Sequence, residues 1–356
     1  MDSSAKSFVP GFLRPRVFVP GLALLVAAGA AGCGSSSGTT SAASSAAAGD
    51  SSPTHLQSQY EQVVRNVLPS VVEIETHNST GSGVVYNGNG DIVTNEHVVG
   101  DASTVEVLTA AGSPLAATVV GKFAPDDLAV IRVTSDASKL KPAKWADSDD
   151  AQIGEIVLAM GNPLGLTDSV TQGIISATGR TVGASEDTGK ALITAAIQTS
   201  AAINPGNSGG ALVNLSDQVV GIPTLAARLP DAGAAPGIGF AIPSNTVRDI
   251  ANQLISTGKV TKSDRATLSI VAQTSANSSG VGVGVAVVDV TSGGAADKAG
   301  IRPGSLITEV DGVKTPTVQA LEGVLATLKP GQKVPVVVVV SGASRTAQVT
   351  LDSLTS

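Results

Sequence analysis

Hydrophobic and polar positions change rhythm several times along this chain. Val17 to Ala28 is an apolar stretch broken only by Pro20 and Gly21, and Gly34 to Pro53 is Ser/Ala/Gly/Thr-rich with almost no charge. From Leu56 to Val67 the apolar spacing predicts a short helix, closed by Pro69. Short Val/Ile-rich runs then alternate with Gly, Asn and Asp turns. They predict strands at Val71–Thr76, Gly83–Tyr86, Ile92–Thr94, Val105–Leu108, Ala117–Gly121 and Leu128–Val133. Six more are expected at Ile156–Met160, Gly173–Thr178, Leu192–Gln198, Ala211–Asn214, Gln218–Pro223 and Gly239–Ile242. Many short strands with turn signals imply an antiparallel barrel or sandwich. Val247 to Ser256 reads as a closing helix. A second β-rich part starts near Ser263, with a long run at Gly280–Val290, a helical stretch at Val318–Leu328 and a strand at Val334–Val340.

Composition narrows this picture. The 356 residues allow two globular domains, and 42% apolar with only 2% aromatic means that Val, Ile, Leu and Ala fill the cores. The net charge of −7, with no basic block, argues against nucleic acid as a partner. Lys6, Arg14 and Arg16 precede the first apolar stretch, and Ala30-Ala31-Gly32 supplies small residues before Cys33, the only cysteine. These are the parts of an export signal. An uncleaved membrane anchor is the other reading, because the stretch is near the lower limit for a span. Either way the remainder is expected outside the cytoplasm and tethered to a membrane. The Gly34–Pro53 segment is a flexible spacer of roughly 25 Å end to end.

The chemistry concentrates in Gly206-Asn207-Ser208-Gly209-Gly210. A serine between glycines can sit on a tight turn, with the N–H groups of Gly206 and Ser208 aimed at one spot, as a tetrahedral oxyanion needs. A nucleophilic serine needs a base, and the base an orienting acid. Of three histidines, His55 lies in a Ser/Thr/Pro context that reads as solvated linker. His77 reads as a strand-end or turn residue, and His97 stands where the Ile92–Thr94 strand breaks. Asp126 and Asp127 start the Leu128–Val133 run, and strand alternation lets only one face inward. Asp127 is chosen as the acid, leaving Asp126 as a solvated loop charge. The order His, Asp, Ser is that of chymotrypsin.

Six ordered motifs resemble the HtrA (high-temperature-requirement) family of serine proteases: Thr94 to Val99, Asp127 to Ile131, Gly161 to Gly165, Val170 to Ser176, Ala202 to Gly210 and Gly237 to Pro243. The resemblance covers roughly residues 59 to 356. It implies an all-β dominated chain: a chymotrypsin-like double β-barrel at 56–260, with two six-stranded barrels and a cleft between them, and an α+β PDZ domain at 263–356. Residues 1–33 are then a signal peptide with a lipobox and 34–55 a linker, Cys33 being lipidated on the outer face of a bacterial membrane. Ala30 departs from the usual Leu of that motif.

The implied catalytic residues are His97, Asp127 and Ser208, with the oxyanion hole at Gly206, Asn207 and Ser208 and no metal or other cofactor. Ala202, six residues before the nucleophile, carries no carboxylate. Ile203 narrows the pocket toward small or branched apolar residues, and Ile222, Pro223 and Thr224 form its opposite wall. Pro223 lacks the N–H that a substrate-pairing strand offers, and Ser200 stands where many relatives have Asp. Thr181 to Gly189 is a candidate mobile loop. In the PDZ part, Thr267-Leu268-Ser269-Ile270 matches the loop that captures a peptide C-terminus. Ser269 replaces the usual Gly there and restricts φ, and Ser305 replaces an Asp, so weak or absent peptide binding stays open.

The expected function is ATP-independent cleavage of unfolded or damaged polypeptides in the cell envelope by a homo-oligomer, a trimer by resemblance. A chaperone or scaffold with a latched site and a signalling protease with one dedicated target remain open.

Overall fold

The computed structural model describes residues 53–162, 169–183, 192–204, 206–229 and 233–356, and Ser51–Ser356 form one compact unit. The export signal, Cys33 and most of the spacer lie outside the described residues, as do 184–189 of the expected mobile loop. Among the described residues no helix is long and apolar enough to cross a membrane.

Helix α1 (Pro53–Val67) leads into β1 (Val71–Glu75), β2 (Thr80–Val85) and β3 (Asp91–Thr94). A single helical turn, α2 (Glu96–Val99), precedes β4 (Thr104–Leu108), β5 (Pro114–Phe123) and β6 (Leu128–Val133). The six strands close into a barrel in the order β1-β2-β3-β6-β5-β4. After β7 (Lys144–Trp145) come β8 (Ile156–Gly161), β9 (Ser169–Gly183), β10 (Leu192–Thr199), β11 (Ala211–Asn214), β12 (Gln218–Leu229) and β13 (Gly233–Pro243). Strands β11-β8-β9-β10-β13-β12 form a second ring closed by β11–β12 pairing, with β7 added parallel to β12.

Period-two alternation explains why most of these strands read as apolar on both faces. Val72, Val85, Ile92 and Ile131 fill the interior of the first barrel, while their neighbours Val71, Val84, Val93 and Val130 face the seam between barrels. In the second, Val157, Ala159 and Leu212 point inward, and Leu158, Met160, Ala211 and Val213 join the same seam. Helix α3 (Ser244–Thr257) adds Val247, Ile250, Ala251 and Leu254, an i, i+3, i+4, i+7 stripe. Gly258, at φ 72°, ends it by donating its N–H to the Leu254 carbonyl at 2.8 Å.

The C-terminal part pairs β14 (Ala266–Thr267) with β21 (Asp352–Ser353). A second sheet runs β15 (Ile270–Ala276), β16 (Gly282–Val290), β17 (Leu306–Val310), β19 (Lys333–Val340), β20 (Ala343–Thr350), with β18 (Val313–Lys314) on β17. Helices α4 (Ala295–Lys298) and α5 (Val318–Leu325) complete it around Val285, Ile307, Val336 and Val338. Strands β7, β14, β15, β17, β18, β20 and β21 have no counterpart in the sequence reading: β7, β14, β18 and β21 are two residues long, and β20 buries only Ala347 and Val349.

Candidate active site

The first barrel supplies an imidazole and a carboxylate from two adjoining turns. His97 lies in α2, directly after Asn95 leaves β3 in extended conformation. Asp127 closes a tight turn, Ala124–Asp126, and adopts a left-handed φ of 52°. Asp is among the few residues that tolerate that region, since its short polar side chain bonds locally. Its carbonyl accepts from Glu96 N at 3.1 Å and from Asn95 Nδ2 at 2.9 Å, which stitches the two turns together. Its Oδ1 accepts the His97 backbone N–H at 3.0 Å, and His97 Nδ1 lies 2.8 Å from Oδ2. The Thr224 hydroxyl of β12 donates to the same Oδ2. With three groups bound, the carboxylate has little freedom to rotate and holds Nδ1 protonated, which leaves Nε2 as the basic nitrogen.

The His97 side chain is 48% exposed and that of Asp127 6%. Partial burial is the largest single influence on the imidazole and pulls its pKa down. The hydrogen bond and charge of Asp127, with the charge of Glu96, outweigh it and leave the pKa above the ordinary imidazole value.

The second barrel presents Gly206–Gly210 against these turns. Gly209, at φ 80°, has no room for a side chain: a Cβ would lie 2.2 Å from the Ser82 carbonyl and 2.4 Å from Thr94 Oγ1. The loop therefore touches the strand ends that carry His97. Most of its peptide groups are committed. The Gly206 carbonyl accepts from the Ser82 hydroxyl, and Asn207 N–H donates to Asn204 O at 3.2 Å. The Asn207 carbonyl accepts from Gly210 N at 3.1 Å, the Ser208 carbonyl from Ser82 N at 3.0 Å, and Gly209 N–H donates to Pro223 O at 3.0 Å. Among the described residues, the N–H groups of Gly206 and Ser208 have no acceptor. Most backbone donors are paired in folded proteins, so two uncommitted ones within three residues are available to an anionic oxygen. Asn207, named with them from the sequence, is not such a donor. Its N–H is spent, and its side chain braces the loop by accepting from Asn204 N at 3.0 Å and donating to Ala202 O at 3.1 Å. Among the described residues the Ser208 hydroxyl makes no hydrogen bond to His97.

Beside the loop, Ala202 is exposed and its carbonyl also accepts from Thr171 Oγ1 at 2.8 Å. Ile203, 7% exposed, packs into the interior of the second barrel, and a Cβ on Gly239 would lie 2.3 Å from its Cγ1. The opposite wall differs from the sequence expectation. Ile222 is fully buried in the seam, Thr224 is buried on Asp127, and Pro223 offers the carbonyl that Gly209 uses. Strand alternation sends Ile222 and Thr224 to the same inner side. Ser200 accepts the Ile174 N–H at 3.0 Å and so ties β10 to β9. Among the described residues no group of His, Cys, Asp or Glu is arranged to hold a metal ion.

Comparison with known proteins places the family. A trypsin-like peptidase domain profile matches residues 81–222, and a PDZ domain profile matches 254–351. The serine protease Do-like HtrA of Lactobacillus helveticus is 42% identical over 281 residues, covering 75% of this chain and 66% of that protein. The Do-like HtrA of Lactococcus lactis subsp. cremoris is 39% identical, over 78% of this chain and 72% of its own length. The chain belongs to the HtrA family of serine proteases.

The periplasmic pH-dependent serine endoprotease DegQ of Escherichia coli is 36% identical, with 78% and 60% covered. Among solved structures, the serine endoprotease of Yersinia pestis matches at a TM-score of 0.55 and 35% identity, over 83% of this chain and 98% of that one. This HtrA chain thus spans about two thirds of the length of the curated relatives it matches.

Asp126 corrects the sequence reading. It is 3% exposed rather than solvated, and Arg265, just before β14, reaches it at 3.1 Å and donates also to the Pro125 carbonyl. A left-handed turn does not alternate faces as a strand does, so both carboxylates of the pair are buried. Burial raises the Asp126 pKa, and Arg265 only partly offsets it. His55 is likewise not in a linker: it lies exposed in the first turn of α1, and His77 sits in the β1–β2 turn as expected.

In the PDZ loop, Ser269 adopts φ 57° despite its side chain, so the conformation a glycine would take is kept. Its hydroxyl donates to Asp352 Oδ2 at 2.8 Å, and its N–H donates to Thr267 Oγ1 at 3.0 Å. Leu268 is buried, its carbonyl accepting from Ala296 N at 3.0 Å, and Ile270 opens β15. Ser305, 2% exposed, donates its N–H to Arg302 O and accepts from Arg302 N through Oγ at 3.4 Å. Sequence reasoning missed three residues: Thr224 as partner of Asp127, Ser82 under the loop, and Arg265 on Asp126. Of these only Ser82, between Gly81 and Gly83, carries a local signal.

Proposed function

We propose that this chain is an ATP-independent serine endoprotease acting on unfolded or damaged polypeptides outside the cytoplasm. Ser208 Oγ attacks the substrate carbonyl while His97 Nε2 takes its proton, and Asp127 stabilises the imidazolium that results. The N–H groups of Gly206 and Ser208 receive the oxyanion. His97 then returns the proton to the leaving amine, and water, activated by the same imidazole, hydrolyses the acyl-enzyme. The base works only once His97 has lost its proton, which the Asp127 carboxylate defers to higher pH.

The observation that carries this reading is the pair of donors with no acceptor among the described residues, in a loop whose other three N–H groups are bonded, set against the strand end that bears the His97–Asp127 pair. The Ile203 packing supports small apolar residues at the cleaved bond. Residues 56–260 carry the hydrolysis. Residues 263–356 hold substrate along the edge of β15, peptide C-termini at Thr267–Ile270 included. The leader pattern and the periplasmic relative support an envelope location, with Cys33 lipidated as the anchor. A homo-oligomer, a trimer as in the family, completes the reading.

One observation favours a latched or scaffold state: the Ser208 hydroxyl is not on His97 among the described residues. A fluorophosphonate probe separates the two. Wild type labels and Ser208→Ala does not if the site is competent, and the substitution lowers turnover by at least about 10⁴-fold. A folded wild type that never labels identifies the scaffold.

A further inference from the structure

The proton transfers above do not call on Ser82, yet every polar atom of this fully buried residue is engaged. Its carbonyl accepts from Thr94 Oγ1 at 2.6 Å, and its N–H holds the Ser208 carbonyl at 3.0 Å. The hydroxyl accepts from Asn162 N at 2.9 Å. A backbone N–H can only donate, so the hydroxyl proton is directed to the Gly206 carbonyl.

Gly206 sits at φ 110°, where a glycine has several backbone orientations open to it. Something outside the loop has to select one of them. The two bonds from Ser82 fix the peptide planes on either side of the Ser208 N–H. Its strand is itself seated on α2, since a Cβ on Gly81 would lie 2.7 Å from Val98 Cγ2, one residue beyond His97. Ser82 is therefore referenced to the turn that carries the base and bonded to the loop that carries the nucleophile.

We infer that Ser82 is a positioning residue for the oxyanion hole: its hydroxyl orients the Gly206–Asn207 peptide, so that the N–H groups of Gly206 and Ser208 converge on the substrate carbonyl. The inference rests on the protease reading and deepens it. Removing the hydroxyl strands a buried carbonyl and a buried N–H, and the loop relaxes to pair them elsewhere.

The test compares wild type with Ser82→Ala by three measurements. On a fluorogenic peptide with a small apolar residue before the cleaved bond, kcat falls about 10- to 100-fold, less than the loss expected when a donor itself is removed, while KM stays within about twofold. Affinity for the matching peptide aldehyde, whose adduct places an oxyanion in the hole, weakens in parallel with kcat. Amide hydrogen exchange at Asn207 and Gly209 accelerates about tenfold, with the amides of β3 and β6 unchanged.

Unchanged kcat and aldehyde affinity, or unchanged exchange at Asn207, overturns the assignment. So does a loss in which exchange rises throughout both barrels, since that reports general destabilisation. A wild type that resists fluorophosphonate would defeat the protease reading instead. The exchange measurement needs no turnover and still decides whether Ser82 orders the loop.

Discussion

The two loops to which the proposed function gives peptide chemistry solve the left-handed turn differently. In Gly206–Gly210 the positive-φ positions are glycines, at 110° and 80°, and two N–H groups have no acceptor among the described residues. In Thr267–Ile270 the same kind of position is a serine at 57°, whose hydroxyl is tied to Asp352 and whose N–H is tied to Thr267. The first is held largely from outside, by Ser82 and Pro223, and leaves the Gly206 and Ser208 donors free among the described residues. The second is held largely by its own side chains and spends one donor on itself. A loop can thus be ordered largely by external clamps or by its own side chains, and the first route leaves more backbone donors available.

The sharpest way to break the contrast is Gly209→Ala. The new Cβ meets the Ser82 carbonyl, a backbone atom that cannot move aside. Left-handed strain and overpacking together cost about 3 kcal/mol or more. Thermal unfolding and the rate of fluorophosphonate labelling check this: labelling falls by at least about a hundredfold if the clamp sets the hole. Wild-type stability and labelling would mean that the loop is not docked as described.

Arg265, two residues before the second loop, reaches the turn that ends in Asp127. Arg265→Ala leaves Asp126 buried without its cation, a loss of about 3 kcal/mol at neutral pH. The sign with pH follows from a carboxyl whose folded pKa is already raised. The folded state binds its proton more readily than the unfolded chain does, so acidification relieves the penalty, and the gap to wild type narrows as pH falls through the Asp126 pKa. Denaturant titrations over a pH series measure it, and a gap that widens on acidification contradicts the buried ion pair.

Ser269→Gly is the smallest perturbation. The backbone already occupies the glycine-like region, and relief of strain offsets the lost hydrogen bond to Asp352, so stability shifts by less than about 1 kcal/mol. Isothermal titration with a peptide bearing a free C-terminus is expected to show a change below about fivefold, roughly 1 kcal/mol. A gain far beyond that would show that serine, not the Thr267 bond, limits the second loop.

Much of this was legible in the residues. The alternating Val/Ile runs located twelve of the thirteen protease strands, all but β7, because turn glycines and aspartates punctuate them, although β12 and β13 each run six residues beyond one expected end. The His97, Asp127 and Ser208 segments announced themselves by residue type and order. What stayed hidden depended on long-range placement. Asp126 looked solvated because a strand rule was applied to a left-handed turn. Thr224 looked like pocket wall until β12 laid its hydroxyl on a carboxylate 97 residues away in sequence. Arg265 showed no pattern of its own, its partner lying 139 residues earlier.

The shared seam has a consequence for the life of the chain before it is folded. One face of each barrel is covered by the other together with α1 and α3, so neither half can finish alone, and the proposed base and acid reside on one while the proposed nucleophile resides on the other. A polypeptide threaded through a membrane or emerging from a ribosome carries all three groups yet remains harmless to its neighbours. Destructive capacity arrives with the final collapse, which makes completion of folding itself the safety catch.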